Sequence, residues 1–200
     1  VGVPGELDAQ QVIHLAFQIV GGLPHGKEAV HLLTFRQPHP QEQAAVVAGV
    51  RPVWEAELYD LLAAYAQQRQ PAGDWTTWLF LGGRGCGKTR TGAEWIRGLV
   101  ARKVSPIALV GETMTEAMAV MVRGESGILS VCRIGEMPTI RGHRLTWPNG
   151  VEATLLSASD PDSFRGPQFA AAWCDEVAKW PNAEAAWDML QFGLRLLLLS

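Results

Sequence analysis

Apolar positions in the middle of the chain follow two periods, one typical of strands and one typical of helices. The run TTWLFLG, residues 76–82, predicts a buried strand, and the apolar positions after it predict a helix over residues 88–102. A second apolar run over 106–113 predicts another strand, and residues 114–123 repeat the helical pattern. Because strands alternate with helices, we expect an α/β fold with a mostly parallel sheet and helices on both faces.

Two further strand patterns follow along the chain. Residues 144–158, RLTWPNGVEATLLSA, alternate in polarity around a Pro-Asn-Gly turn and predict a β-hairpin. The stretch QFAAAWCDE, residues 168–176, predicts a short apolar strand that ends in two carboxylates.

The first part of the chain is less informative. A stripe of apolar residues over 54–65 predicts a helix that begins near Pro52 and ends before Pro71. Residues 1–50 give only weak signals. We therefore divide the chain into an N-terminal segment 1–50 of unknown role and an α/β domain over 51–200.

Composition narrows the class of protein. The 200 residues are 48% apolar and 18% charged, which is typical of a globular protein, and no apolar run is long enough for a membrane span. The net charge of −3 gives no global basic field, but residues 71–150 carry ten basic and six acidic side chains. That excess suits an anionic ligand or a solvated basic face. Cys86, Cys132 and Cys174 lack CxxC spacing and indicate reduced intracellular thiols.

The most specific motif lies between the first predicted strand and its helix. The motif GxxxxGK[ST] is matched by Gly82, Gly83, Arg84, Gly85, Cys86, Gly87, Lys88 and Thr89. In this context the glycines turn N–H groups toward phosphate oxygens, Lys88 adds a positive charge at the β- and γ-phosphates, and the Thr89 hydroxyl is a ligand for Mg²⁺. The alternative is a glycine-rich turn with a chance lysine.

The carboxylates at the end of the later strand complete this hypothesis. On a strand beside the glycine-loop strand, Asp175 would reach Mg²⁺ at the carboxyl end of the sheet. Glu176 would orient and deprotonate an attacking water. The alternative is a solvated strand end, but the pair after an apolar strand favours an ATPase with ATP and Mg²⁺ as its cofactors.

At this point the chain resembles a known family, the large terminase subunit of tailed bacteriophages and gene transfer agents. The resemblance runs roughly from Trp54 to Phe192, and its most specific strings are GDWTTWLFLGGRGCGKTRTGAEW, MVRGESGIL, WPNGVEATLLSASDPDSFRGPQFAAAWCDEVAKW and AWDMLQFGLRL. It implies a P-loop NTPase fold of the RecA-like, additional-strand catalytic-glutamate type, with Walker A and Walker B motifs. It also implies ATP hydrolysis that drives double-stranded DNA into a procapsid.

The resemblance also implies binding partners and a cellular location. It implies a homo-oligomeric ring that works with a portal protein and a small terminase subunit. The expected location is the bacterial host cytoplasm, at the procapsid portal, with no membrane partner.

The resemblance also assigns roles to arginines. Arg84 would reach the γ-phosphate of its own subunit, the alternative being that it faces solvent. Arg165 would act as a trans finger on the neighbouring subunit's nucleotide, the alternative being a helix cap or a surface role. A contact from Gln68 or Gln70 to adenine is a weaker implication, since both could simply be solvated.

Departures from the family keep alternatives open. Cys86 lies where the family has a smaller or non-thiol residue, and the chain starts at Val1 and ends in LRLLLLS. We expect a C-terminally truncated domain that lacks the coupling strand and the nuclease domain, so no nuclease activity is expected. The alternatives are another RecA-like, helicase-like DNA-dependent ATPase and a catalytically dead remnant that binds nucleotide.

Overall fold

The computed structural model describes residues 28–35, 68, 70, 71 and 75–194. The helix predicted over 54–65 lies outside the described residues. The strands are β1 Glu28–Phe35, β2 Thr77–Gly83, β3 Ile107–Gly111, β4 Thr139–Arg141, β5 Arg144–Thr146, β6 Glu152–Ser157 and β7 Ala171–Cys174. The α-helices are α1 Lys88–Ala101, α2 Met114–Ala117, α3 Ile128–Val131 and α4 Ala183–Gly193.

Most of the elements predicted from periodicity are confirmed. The helix expected over 88–102 is α1, and the strands expected over 76–82 and 106–113 are β2 and β3. The helix expected over 114–123 is present in two parts, because α2 continues directly into a π-helical turn, Met118–Val122. The hairpin around Pro-Asn-Gly is formed by β5 and β6, which pair in antiparallel fashion.

Within the described residues the sheet has seven strands in the order β2-β1-β7-β3-β6-β5-β4. Strand β3 runs parallel to β6 and β7, whereas β1 is antiparallel to β2 and β7, and β5 is antiparallel to β4 and β6. The expectation of an α/β fold is therefore confirmed, but the expectation of a mostly parallel sheet is wrong. The sheet is mixed because β1 enters its interior in reverse and the β4–β5 hairpin extends one edge.

The expectation that the strand before Asp175 and Glu176 lies beside the glycine-loop strand is wrong. Strand β7 does not lie beside the glycine-loop strand β2, because β1 pairs with both of them. Leu32 of β1 lies opposite Leu79 on one side and Cys174 on the other, so these positions of β2 and β7 are level. Since both strands are antiparallel to β1, they run in the same direction and end at the same edge of the sheet.

Side chains of β3 alternate between two core layers. Ile107 and Leu109 pack in a cluster with apolar residues of α1, while Ala108 and Val110 pack in a cluster with residues of α4. All four side chains are fully buried. Helices therefore cover both faces of the central strands, as expected for this fold class. None of the helices in the described ranges is long and apolar enough to cross a membrane.

One close approach ties α1 to the sheet. Gly92 of α1 packs against the indole of Trp173 on β7, and a Cβ at this position would overlap the ring. Trp173 is fully buried. Glycine is therefore required for the distance at which α1 lies on the sheet, and α1 is the helix that begins at the glycine loop.

Candidate functional site

The carboxyl ends of four strands meet at one edge of the sheet. Strands β2, β7, β3 and β6 all run in the same direction. The glycine loop follows β2, Asp175 and Glu176 follow β7, and Glu112 follows β3. In open α/β sheets this edge is where ligands bind, so the segments that carry the predicted site residues all leave the sheet at the edge where a ligand is expected.

The glycine loop has the backbone shape that an anion site needs. Gly85 and Gly87 adopt left-handed conformations with φ of 77° and 84°, which a side chain would disfavour. Gly87 is also the N-cap of α1, and no side chain caps the helix or places an acid in its first turn. The first N–H groups of α1 can therefore donate to a ligand at the loop, and the partial positive charge of the helix N-terminus favours an anion there.

Lys88 is folded over the loop. Its Nζ donates to the carbonyl oxygens of Gly82 and Gly83 at 2.7 Å each, and lies 3.5 Å from Cys86 Sγ. The residue is buried, with 8% of its surface exposed. Because these oxygen acceptors are neutral carbonyls rather than carboxylates, the lysine charge is held in the loop without being neutralised there.

Gln68 contacts the backbone of the glycine loop. Its Nε2 donates to the carbonyl oxygen of Cys86 at 3.2 Å, and its side chain is buried. A Cβ at Gly87 would overlap this amide. Gln70, in contrast, is exposed. The contact from either glutamine to adenine stays a prediction.

The structure places the remaining loop residues and the two arginines as follows. Thr89 is half-buried in the first turn of α1, and Arg84 is exposed on the loop. Arg165 is exposed directly after the 3₁₀ turn Pro161–Phe164, and its Nε lies 3.0 Å from Asp162 Oδ1. Neither arginine role is tested by this arrangement, so the cis role of Arg84 and the trans role of Arg165 stay predictions.

Asp175 is held where β7 ends. Its N–H donates to the carbonyl oxygen of Val110 at 2.8 Å, which extends the ladder between β3 and β7 by one residue. Its carbonyl oxygen accepts from Trp180 Nε1 at 3.0 Å, and the residue is 6% exposed. A buried carboxylate on a backbone held at this edge suits a hard cation such as Mg²⁺.

Magnesium would need ligands besides these side chains. The described ranges hold no group of three or more His, Cys, Asp or Glu residues placed to bind a metal. Mg²⁺ is commonly held by one or two protein groups together with phosphate oxygens and waters. Asp175 and the Thr89 hydroxyl fit that mode, and their metal role stays a prediction.

Glu176 has an unusual backbone and an ion-pair partner that the sequence analysis missed. It is a non-glycine residue in the left-handed region, with φ of 46°. Its carboxylate forms an ion pair with Lys179, whose Nζ also lies 3.7 Å from Glu116 Oε1. The nearby acids raise the pKa of Lys179, with the hydrogen bond to Glu176 as the largest cause. A lysine three residues after the acid was the available signal.

The cysteines lie in different environments. Cys86 is half-exposed in the glycine loop, whereas Cys174 is fully buried at the end of β7. Burial raises the pKa of the Cys174 thiol far above its ordinary value. Desolvation also raises the pKa of Cys132, which is partly buried.

Comparison with known proteins identifies the family. Residues 79–197 match the family model described as terminase large subunit, T4likevirus-type, N-terminal. No curated protein and no solved structure shows a significant match to the chain. The matched residues begin in β2 and contain the glycine loop, Asp175 and Glu176. The chain therefore belongs to the terminase large subunit family and matches its N-terminal region.

Proposed function

We propose that this chain is the ATPase motor part of a DNA-packaging terminase. In this proposal it hydrolyses ATP to ADP and phosphate with Mg²⁺, and the reaction drives double-stranded DNA into a procapsid. The observation that carries the proposal is the shared edge of β2 and β7, where the glycine loop and the pair Asp175-Glu176 both emerge. The family match supports the packaging role.

The glycine loop would bind the phosphates. Left-handed Gly85 and Gly87 and the uncapped start of α1 supply N–H donors, while Lys88 supplies the charge. In the structure the Lys88 ammonium bonds to carbonyls of its own loop. Phosphate oxygens would replace these neutral acceptors with charged ones, and charge-assisted hydrogen bonds are roughly twice as strong as neutral ones.

Asp175 and Thr89 would hold Mg²⁺. When bound, this ion would offset the charge that develops on the phosphate oxygens. Asp175 is suited to this task because the ladder bond to Val110 and the bond from Trp180 fix its backbone. A fixed backbone limits the reorganisation that the carboxylate would need.

Glu176 would act as the general base. Its carboxylate would accept a proton from the water whose oxygen attacks the γ-phosphorus, as the bond to the bridging oxygen breaks and ADP leaves. Arg84 would contact the γ-phosphate in cis. Arg165 would reach the next subunit of a homo-oligomeric ring, and for that it must exchange its present partner Asp162 for phosphate.

The partners of this proposal follow from the packaging role. They are double-stranded DNA, a portal protein and a small terminase subunit, in the host cytoplasm at the portal. Stimulation of ATP hydrolysis by DNA together with binding to a portal protein supports a packaging motor. Stimulation by DNA without portal binding favours a helicase-like ATPase instead.

The central experiment measures Mg·ATP binding and phosphate release in two variants of the whole chain. Lys88→Ala should lose nucleotide binding, because it removes the charge held within the loop. Glu176→Gln should bind Mg·ATP like the parent but release phosphate on the order of a hundredfold more slowly.

The matched control is Lys103→Ala, which removes an exposed lysine that follows the far end of α1. This control should behave like the parent in both assays. If Lys88→Ala binds ATP with the affinity of the parent, the glycine loop is not the phosphate-binding site. Tight binding with no turnover in the parent would identify a nucleotide-binding protein that does not hydrolyse ATP.

A further inference from the structure

Lys179 lies in a short hydrogen-bonded turn at the candidate site. The turn from Asp175 to Trp180 is closed by Lys179 N donating to Glu176 O at 2.8 Å and by Trp180 N donating to Val177 O at 3.1 Å. The Trp180 indole is buried in the core and donates to the carbonyl oxygen of Asp175. The backbone of Lys179 is therefore held near Glu176, and the ammonium lies against that carboxylate.

Two carboxylates compete for this ammonium. Glu176 holds it directly, and Glu116 Oε1 lies 3.7 Å from Nζ. Glu116 is itself anchored, because its N–H donates to the Thr113 hydroxyl at the start of α2. The same acids, with Glu112, raise the pKa of Lys179, so the side chain keeps its charge. A short movement of the ammonium from one acid to the other is therefore available.

The ion pair occupies the group that the proposed reaction uses. The contact with Lys179 occupies the Oε2 atom of Glu176 and restrains where the other carboxylate oxygen can meet an attacking water. The carboxylate lies beside Lys179 while Glu176 has a left-handed backbone, which costs free energy for a residue with a Cβ. Both features restrain Glu176 in the present arrangement.

We propose that Lys179 is a positioning residue that restrains Glu176, and that turnover requires the ammonium to pass from Glu176 to Glu116. The inference rests on the proposed ATPase function and adds a means of regulating the same site. Anything that draws Lys179 toward α2 releases the base, and anything that holds Lys179 on Glu176 keeps the site inactive.

The first experiment measures kcat and KM for ATP. Lys179→Met should raise kcat about two- to fivefold, because an exposed ion pair of modest strength is lost, while KM stays unchanged. Lys179→Arg should bring kcat back toward the parent, since it restores a cation. Glu116→Gln should lower kcat, but it should have no effect in the Lys179→Met background.

The control and the outcomes are specific to this role. Lys103→Met removes an exposed lysine elsewhere and should leave both constants unchanged. An unchanged or lower kcat in Lys179→Met, in a parent that turns over, overturns the positioning role and leaves the ATPase proposal standing. If neither the parent nor Lys179→Met releases phosphate although both bind ATP, the ATPase proposal fails and the role of Lys179 fails with it.

The second experiment does not depend on turnover. Trace acetylation by acetic anhydride, mapped by mass spectrometry, reports how readily each lysine is deprotonated and reached. Lys179 should react more slowly than Lys103 in the parent, and Glu176→Gln should raise its relative reactivity about two- to fivefold. No change in Glu176→Gln would show that the contact is not formed in solution and would overturn the inference.

Discussion

The two lysines at the carboxyl edge of the sheet lie in opposite surroundings. Lys88 is buried and donates to two neutral carbonyls of its own loop. Lys179 has 54% of its side chain exposed and pairs with the carboxylate of Glu176. One cation is held without being neutralised, and the other is neutralised where solvent and salt can reach it.

This difference separates a fixed part of the site from an adjustable one. Hydrogen bonds from a buried lysine to carbonyls respond weakly to ionic strength, whereas an exposed ion pair is screened and contributes little to stability. We infer that the glycine loop holds the Lys88 ammonium in place for a phosphate. In the Asp175–Trp180 turn, by contrast, Lys179 can exchange Glu176 for Glu116. The two parts are linked by the contact of Gly92 with Trp173, since α1 starts at the loop and Asp175 directly follows β7.

Cysteine chemistry gives the largest expected contrast between the two parts. Cys86 lies half-exposed in the loop, and Cys174 is fully buried beside Asp175. A small alkylating reagent should modify Cys174 at least about a hundredfold more slowly, because reaction requires the core to open. Mass spectrometry after timed exposure measures both rates, with the partly buried Cys132 as an internal reference.

Two conditions sharpen this test. Burial raises the pKa of Cys174 above the ordinary value of 9.0, so the folded chain keeps this thiol protonated up to pH 9 and its alkylation depends on opening of the core. Saturating Mg·ATP should protect Cys86 if the phosphates occupy the loop. Equal modification of Cys86 with and without nucleotide would contradict the proposed site.

Much of the fold was predictable because it depends on local periodicity. The period of α1, the apolar run of β3 and the hairpin turn at Pro148-Asn149-Gly150 are visible in short windows of sequence. The glycine loop was predictable because its motif requires a strand before it and a helix after it. These features depend on neighbours within a few residues.

The parts that were missed depend on distant contacts. Strand β1 pairs with β2 and β7, which follow much later in the chain, and its apolar run lies in a segment of weak signals. The pairing of Lys179 with Glu116 joins two elements that only the sheet brings together. The left-handed backbone of Glu176 had no sequence signal, because glycine and asparagine are the usual residues there.

A substitution at Gly92 can disrupt the packing of α1 against β7, which connects the glycine loop to the Asp175–Trp180 turn. In an exposed helix, Gly→Ala stabilises by about 1 kcal/mol, but here the new Cβ would overlap the Trp173 ring. Gly92→Ala should therefore lower the free energy of unfolding by about 1–3 kcal/mol, measured by chemical denaturation. The sign is opposite to helix propensity, so a stabilised variant would contradict the close approach.

A double variant separates overlap from other causes at this position. Trp173→Leu removes the ring atoms that the new Cβ would meet. Adding Gly92→Ala to Trp173→Leu should cost less than adding it to the parent, because the overlap is gone. Equal costs in both backgrounds would show that the two residues do not interact.

The smallest expected effect comes from removing a hydrogen bond that helps to fix the glycine loop. The Thr91 hydroxyl donates to the carbonyl oxygen of Gly87 at 3.0 Å, and Thr91 N donates to the same oxygen at 2.9 Å. Thr91→Val keeps the shape of a buried side chain and removes only the hydroxyl bond. Because the backbone bond remains, we expect a loss of about 0.5–1 kcal/mol in unfolding free energy. Thr115→Val, at an exposed position of α2, is the matched control and should change stability less. Equal stability changes in the two variants would mean that the Thr91 hydroxyl does not help to fix the loop.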